Sequence, residues 1–144
     1  MTLATFDNLH QEPARVNLWY LYPMPPPTRP TLPLTLAGIQ AEFERRVDDA
    51  RQLYAQAWDA AGDDYERCVA AHYVGHLEAD PAVALCWHLA ALAYARQVDA
   101  ERVAEFLPSL YVNLGRAYEL TGDAALAERH YELAAELGLV HQVR

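Results

Sequence analysis

The sequence predicts an all-α protein built from antiparallel helix hairpins, preceded by an extended proline-rich arm. Three observations support this. Apolar residues recur at spacings of three and four from residue 36 onward, short Gly-Asp and Asp-Pro breaks interrupt them, and seven of the nine prolines fall in residues 1–33. The breaks predict about five helices. The predicted organisation is an N-terminal arm over residues 1–33 and one helical domain over residues 34–144.

The arm joins an aromatic stretch to a proline stretch. Residues 18–22 read Leu-Trp-Tyr-Leu-Tyr, and residues 23–27 read Pro-Met-Pro-Pro-Pro. The proline stretch predicts an extended polyproline II backbone. Two interpretations remain open for the aromatic stretch. It is either a poorly ordered leader or a segment that lies along the helical domain and covers apolar surface, since an aromatic run is costly to leave in water.

The first helical segment spans residues 36–61. No strong helix breaker stands in it, which favours one continuous helix. Its predicted apolar stripe consists of Leu36, Ile39, Phe43, Val47, Ala50, Tyr54, Ala57 and Ala61. A second interpretation places a turn near residues 46–49, with Asp48 or Asp49 capping a new helix.

The two helices that follow have clear start signals. The acidic pair after Gly62 caps a helix over residues 65–77. Asp80 followed by Pro81 starts the next helix, over residues 82–98, because proline is tolerated in a first helical turn. These signals predict a second hairpin in the middle of the chain.

The clearest hairpin occupies residues 106–138. Gly122 tolerates the positive φ of a helix C-cap, and Asp123 accepts hydrogen bonds from the first-turn N–H groups of the next helix. Pro108 predicts the start or a bend of the first helix of this hairpin. Small residues on both helices should let the two backbones approach closely. These are Gly115, Ala127 and Ala134.

Six residues of this hairpin stand in register with a known repeat pattern: Leu114, Gly115, Tyr118, Ala127, Tyr131 and Ala134. The chain therefore resembles the tetratricopeptide repeat (TPR) family, with Tyr111 in place of the usual Trp. The resemblance implies a right-handed superhelix of stacked hairpins. It also implies a concave groove, lined by the first helix of each repeat, that holds a peptide or helix of a partner.

The second-helix pattern of small, aromatic, small recurs upstream. The three sets are Ala50, Tyr54 and Ala57, then Ala84, His88 and Ala91, then Ala127, Tyr131 and Ala134. The first two sets are 34 residues apart and the last two are 43 apart. The nine added residues fall within residues 97–107, where we expect longer helices on both sides of a turn at Asp99. In the middle repeat, His72 and Gly75 exchange large and small positions, so packing there should differ.

The resemblance also indicates candidate binding residues. The groove positions are Glu66, Val69, Tyr73, His76, Val112, Asn113, Arg116 and Glu119. Among them, Arg116 suits a carboxylate and Asn113 a peptide backbone.

The last helix is apolar beyond one stripe, so either the arm or a second copy of the chain should cover it. The candidate homodimer face consists of Leu126, Leu133, Leu137 and Leu139.

Composition narrows the classes of partner. The net charge is −9 and the 11 basic residues are all arginine without a basic stripe, so nucleic acid is not an expected partner. No window approaches roughly 18 uninterrupted apolar residues, so no membrane span is expected. Two cysteines make no disulfide framework, and a cytoplasmic location follows as the expectation. The arginine-only, alanine-rich composition favours a bacterial source.

One cluster has the residue types of a metal site. Cys68, His72 and His76 fall on one helical face, with Cys86 and His88 on the following helix. The Glu that a hydrolytic zinc helix carries after its first His is missing. Cysteine and histidine at these positions also fit ordinary packing. We therefore expect no metal and no cofactor.

No catalytic pattern is present. The six glycines are isolated, so no glycine-rich phosphate loop exists, and the single serine, Ser109, lacks the glycines of a nucleophile turn. The expected function is a non-catalytic module that binds a protein or peptide. Two alternatives are a self-associating regulatory module that dimerises through its last helix and a Cys/His metal-binding helical protein.

Overall fold

The computed structural model describes residues 31–138, and within that range the chain forms seven α-helices and no strand. The helices are α1 (Thr31–Phe43), α2 (Val47–Ala60), α3 (Asp64–His76), α4 (Pro81–Ala95), α5 (Ala100–Val103), α6 (Leu107–Thr121) and α7 (Ala124–Glu136). The all-α class is confirmed. Residues 1–30, which include the aromatic stretch of the predicted arm, and residues 139–144 lie outside the described residues.

Consecutive helices pack as three hairpins, α1 with α2, α3 with α4, and α6 with α7. The partners are antiparallel. At the open end of the first hairpin, Thr31 Oγ1 donates to the carbonyl of Ala57 at 3.3 Å. Contacts of α2 with α3 and of α4 with α6 join each hairpin to the next. The hairpins therefore form a continuous row in chain order.

The favoured continuous helix over residues 36–61 is wrong, because the chain reverses between α1 and α2. Arg45 adopts a φ of 60°, which ends the helical hydrogen bonding. The N–H of Arg46 then donates to the Ala41 carbonyl at 2.8 Å. The second interpretation correctly expected a turn, but the turn lies at residues 44–46. Arg46 is the N-cap and makes no side-chain capping hydrogen bond, so neither Asp48 nor Asp49 caps α2. The turn forms without a glycine or proline. The left-handed conformation of Arg45 costs about 1 kcal/mol, which the packing of α1 on α2 can offset.

The buried face of α1 also differs from the predicted stripe. Leu36, Phe43 and Val47 are exposed by 56%, 83% and 39%. The buried residues of α1 are instead small or polar: Thr31, Thr35, Gly38 and Ala41. Small side chains allow α2 to approach α1 closely, and this close contact outweighs the burial of the larger side chains on the other face.

Glycine–tyrosine contacts set the spacing within the first and third hairpins. A Cβ on Gly38 would lie 2.3 Å from Cε1 of Tyr54, and one on Gly115 would lie 2.5 Å from Cε1 of Tyr131. Each ring therefore occupies space that only glycine leaves open. This explains why the glycine and the tyrosine occur 16 residues apart in both hairpins.

Each of these two tyrosines also forms a hydrogen bond that joins the two helices of its hairpin. The hydroxyl of Tyr54 donates to Glu42 Oε1 at 2.5 Å. The hydroxyl of Tyr131 donates to Glu119 Oε2 at 2.6 Å. In both cases the glutamate lies one helical turn after the glycine. We call this arrangement the Tyr–Glu bridge.

The predicted helix starts are confirmed at three capping aspartates. Asp63 Oδ1 accepts from the N–H of Glu66 at 2.8 Å, Asp80 Oδ1 from Ala82 at 2.9 Å, and Asp123 Oδ1 from Leu126 at 3.0 Å. Gly122 adopts a φ of 89°, as its C-cap position requires. These caps are local, which is why the sequence alone predicts them.

The residues inserted after the middle hairpin do not lengthen its neighbours, contrary to our expectation. α4 ends at Ala95, and the insertion forms the extra helix α5 before α6 begins at Leu107. Val103 of α5 is buried against a core that includes Cys68 and Leu110. Burial of Val103 stabilises this extra helix. Because the first segment also splits into α1 and α2, residues 31–138 contain more helices than the predicted five.

Across residues 31–138, no helix has the length and apolar character needed to cross a bilayer. This agrees with the sequence, whose apolar windows are short.

Candidate functional site

The middle hairpin carries histidines where its neighbours carry the Tyr–Glu bridge. His88 stands at the tyrosine position and His76 at the glutamate position, 34 residues after their counterparts in the first hairpin. Gly75 lies against His88, and a Cβ there would be 2.9 Å from His88 Cε1. The exchange of His72 and Gly75 predicted different packing here, and the structure confirms it.

His72 is a buried residue held by its neighbours. The Asn113 amide and His72 Nδ1 are 3.2 Å apart. The Phe106 ring stands edge-on to the imidazole at 4.7 Å. Burial, followed by the proximity of His88 and then His76, lowers the pKa of His72 to about 3. The neutral ring accepts at Nδ1, so Asn113 is the donor.

His88 is buried without the hydrogen bond that such burial normally requires. Its side chain is only 5% exposed, and Nδ1 finds no partner among residues 31–138. Burial, and then the proximity of His76, lowers the pKa of His88 to about 4. An unsatisfied buried polar atom costs about 1–3 kcal/mol. In a native protein, such an atom calls for an explanation.

His76 faces away from its own hairpin. Its Nε2 lies 3.2 Å from Glu42 Oε2, so the side chain joins α3 to α1. Glu42 also accepts the Tyr54 hydroxyl. His76 therefore extends the Tyr–Glu bridge of the first hairpin and leaves the middle hairpin without one.

Two clefts open where α3, α4 and the loop between them face α6. The larger, named here the Arg116 cleft, has a volume of about 340 Å³. The smaller, named the Tyr73 cleft, has a volume of about 220 Å³ and is lined by residues of α3 and α6. His76 and Asn113 line both clefts. The two clefts therefore adjoin along one face of the molecule.

Five of the eight predicted groove residues lie together on these clefts. Tyr73 and Val112 line the smaller, Arg116 the larger, and His76 and Asn113 both. Two successive hairpins thus contribute to one surface.

The other three predicted groove residues lie elsewhere. Glu66 is buried, and its Oε2 accepts from the N–H of Gly62 at 2.6 Å at the start of α3. Val69 is half-buried and lines neither cleft. Glu119 bridges to Tyr131 on the α7 side of α6. Sequence reasoning missed His88 as a cleft residue, although the exchange of His72 and Gly75 marked this repeat as different.

The candidate homodimer face is only partly exposed. Leu126 and Leu137 are 40% and 50% exposed, Leu133 is half-buried, and Leu139 lies outside the described residues. A second apolar surface, which the sequence did not indicate, lies at the other end of the row. It is centred on the exposed Phe43.

The cysteines and histidines do not assemble a metal site in the described part of the chain. No group of three His, Cys, Asp or Glu side chains within residues 31–138 is placed to hold an ion. Cys68 is buried in the core and Cys86 is exposed, and both are free thiols. Burial raises the pKa of the Cys68 thiol to about 12, which disfavours the thiolate that metals bind.

Comparisons with protein-family models, with curated proteins and with solved structures give no match to this chain. The functional interpretation therefore starts from the geometry of the two clefts. The Arg116 cleft mixes charged and polar residues such as Arg116 and Asn113 with apolar ones such as Leu120, and the Tyr73 cleft combines Tyr73 and Val112 with polar side chains. A site of that composition suits a peptide segment better than a small apolar molecule.

Proposed function

We propose that this chain is a non-catalytic, TPR-like helical repeat protein of the bacterial cytoplasm that binds a protein or peptide. The partner occupies the groove formed by the Arg116 and Tyr73 clefts. The observation that carries the proposal is that residues from α3 and α6, the first helices of two successive hairpins, line two adjoining clefts. A groove shared by successive repeats is where repeat proteins bind extended partners.

The recurrence of one packing unit supports the repeat interpretation. The first and third hairpins share the glycine–tyrosine contact and the Tyr–Glu bridge at equivalent positions. Two hairpins that are far apart in sequence therefore use one set of contacts. Such sharing is expected of repeats and is unusual for unrelated helix pairs.

The groove offers the groups that a peptide requires. Arg116 is exposed and forms no ion pair or hydrogen bond with another of residues 31–138. The Asn113 amide uses one N–H on His72 and keeps the second for a peptide carbonyl. Tyr73 offers a half-buried ring whose position is fixed by the Tyr54 ring, 5.1 Å away.

A peptide selection tests the proposed function. The full chain is immobilised and a display library of random peptides is enriched on it. We expect enriched peptides to bind the wild type and to lose at least about tenfold in affinity for Val112→Glu, because a charge would stand in the Tyr73 cleft. The control is Val83→Glu, a similarly sized change at an exposed position of α4 outside both clefts.

Two results would contradict the proposal. One is a selection from which no peptide is enriched. The other is a set of peptides that bind Val112→Glu as well as they bind the wild type. Circular dichroism of both variants ensures that a loss of binding is not a loss of fold.

The exposed leucines of α7 favour a second candidate function, self-association through the last helix. Leu126 and Leu137 leave apolar surface in water on α7 and at its C-cap. We expect the wild type to sediment as a dimer and Leu126→Glu to shift it to the monomer. A wild type that remains monomeric at millimolar concentration removes this candidate and leaves peptide binding untouched.

A further inference from the structure

The second helix of the middle hairpin, α4, is apolar on every side. Within Pro81–Ala95 the sequence has no Asp, Glu, Lys or Arg, and its one histidine, His88, is buried. A helix of this kind is normally covered, either by other protein or by a membrane. With 15 residues, α4 is too short to cross a bilayer. Part of it nevertheless faces water, since Val83 and Leu89 are each 41% exposed.

The other two hairpins show which residues a solvated face carries at the same place. The exposed stripe of α4, named here the α4 face, consists of Ala82, Cys86, Leu89 and Ala93. The equivalent exposed residues of α2, 34 positions earlier, are Asp48, Gln52, Ala55 and Asp59. Those of α7, 43 positions later, are Ala125, Arg129, Glu132 and Glu136. Three of the four positions are charged or polar in each neighbouring hairpin, and none is in α4. The α4 face therefore has the composition of an interface.

The spacing of the α4 face suits packing against another helix. Its residues follow one another at intervals of four, three and four, which is the pattern of a coiled-coil seam. The pattern continues to Ala79 at one end and Arg96 at the other, each three residues further on and exposed. These six positions are symmetric about the midpoint between residues 87 and 88. A second copy of the same helix, running antiparallel, therefore meets the seam in matching register.

The charges at the two ends of α4 are complementary in such a pair. Glu78 and Asp80 precede α4, and Arg96 is its C-cap residue. In the antiparallel register, Arg96 of each copy lies beside Ala79 of the other, between Glu78 and Asp80. The helix dipoles also favour this direction, because the positive N-terminal end of each helix adjoins the negative C-terminal end of the other. A parallel pair would place like charges together.

We propose that the α4 face is the interface of a homodimer, in which two copies of this chain pack α4 against α4 in antiparallel directions across a two-fold axis. Cys86 then meets Leu89 of the second copy, and Ala82 meets Ala93. The interface is isologous, since both copies use the same surface. The inference goes beyond the proposed function, because no residue of the α4 face lines either cleft and each copy keeps its groove open.

The expected dimer is weak. α4 is about 22 Å long, so one helix pair forms an interface below about 1,200 Å², the small end of specific interfaces. We expect a dissociation constant on the order of 10 μM. Sedimentation equilibrium of the full-length protein, from about tenfold below to about tenfold above that concentration, measures it.

Leu89→Glu should weaken the dimer at least about a hundredfold, because the two-fold axis brings two uncompensated charges into the interface. Ala55→Glu is the matched control, at the equivalent exposed position of α2, and should dimerise as the wild type does. Arg96→Glu should weaken the dimer about tenfold, and adding Glu78→Arg should restore it, because the end charges are then exchanged. Circular dichroism checks that each variant folds.

Cross-linking of the wild type tests the interface without any substitution. Cys86 is exposed and Cys68 is buried, so thiol reagents report on Cys86. We expect a bismaleimide that spans about 8–10 Å, the distance between the axes of packed helices, to join two copies through Cys86. A monofunctional maleimide should label the dimer more slowly than the dilute monomer, because the second copy covers the thiol.

Three results would overturn the inference. The first is a wild type that stays monomeric up to about 1 mM, whether Cys86 is freely labelled or is protected by another segment of the same chain. The second is a dimer that Leu89→Glu leaves intact. The third is a dimer that Leu126→Glu dissociates and Leu89→Glu does not, which favours self-association through α7. The peptide selection is independent of all three, so a monomer that enriches groove-dependent peptides retains the proposed function.

Discussion

Acidification from pH 7.5 to pH 5 should cost the fold about 4 kcal/mol, through His72 and His88. Burial lowers the folded-state pKa of His72 to about 3 and that of His88 to about 4, below the ordinary value of 6.5. Both imidazole rings are therefore neutral in the folded protein. The unfolded chain therefore binds more protons than the folded chain at every pH between about 4 and 6.5.

The direction in which stability changes with pH follows from that difference in bound protons. For a group whose folded pKa is lowered, stability is fully present above 6.5 and is lost as the pH falls toward the folded value. Each histidine contributes a loss of about 2 kcal/mol by pH 5, and the two losses add. Since a domain is stable by about 5–15 kcal/mol, a 4 kcal/mol loss moves it a large part of the way to unfolding.

Urea denaturation at pH 7.5, 6.5, 5.5 and 5 measures this effect. The double variant His72→Gln/His88→Gln should show a much flatter dependence, whereas His130→Gln, at a half-buried position on α7, should follow the wild type. Should the double variant fail to fold, NMR of the wild type decides. The rings of His72 and His88 should stay neutral until the protein unfolds. Titration of either ring near 6.5, or a free energy independent of pH, would contradict the prediction.

Alanine at Gly38 should destabilise the protein by about 3 kcal/mol, and alanine at Gly115 by about 1 kcal/mol. The new Cβ would stand 2.3 Å from Tyr54 in the first case and 2.5 Å from Tyr131 in the second. Replacing glycine by alanine inside a helix gains up to about 1 kcal/mol, so overlap with the ring must outweigh this gain. The difference between the two sites arises because Tyr54 is 1% exposed and cannot move, whereas Tyr131 is half-buried and its ring has room to shift.

Thermal and urea unfolding of both variants measure the two costs. In the background of Tyr54→Leu, Gly38→Ala should cost little, because the ring that the Cβ meets is gone. Gly122→Ala is the control for backbone strain without overlap. Its φ is 89°, and no atom lies within 4 Å of the added Cβ. Strictly additive costs for Gly38→Ala and Tyr54→Leu would show that the contact does not limit the packing.

Part of the candidate site could be predicted from the sequence. The register of the last hairpin placed Val112, Asn113 and Arg116 on one face of α6, because helical periodicity is a local property. The same reasoning failed for Glu66, whose carboxylate turns back to the N–H of Gly62. An acidic residue three positions after a capping aspartate is a known capping arrangement. That local signal was present in the sequence and points away from a groove.

His88 could not be recognised as a site residue from its spacing alone. Its position in the repeat indicated packing, and it does pack against Gly75. Its Nδ1 has no hydrogen-bond partner among residues 31–138, and His76 turns to Glu42 in a different hairpin. That choice depends on how the hairpins stack.

The sequence by itself determined the all-α class, the capping aspartates and the last hairpin, because these depend on contacts within a few residues. Tertiary structure decided the rest. It placed the turn at Arg45, where no breaker stands, because packing of α1 on α2 offsets the strain. It buried the small face of α1 and left Phe43 exposed, because close approach to Tyr54 requires Gly38. It also opened the Arg116 cleft, since a cleft between helices exists only once their hairpins are set side by side.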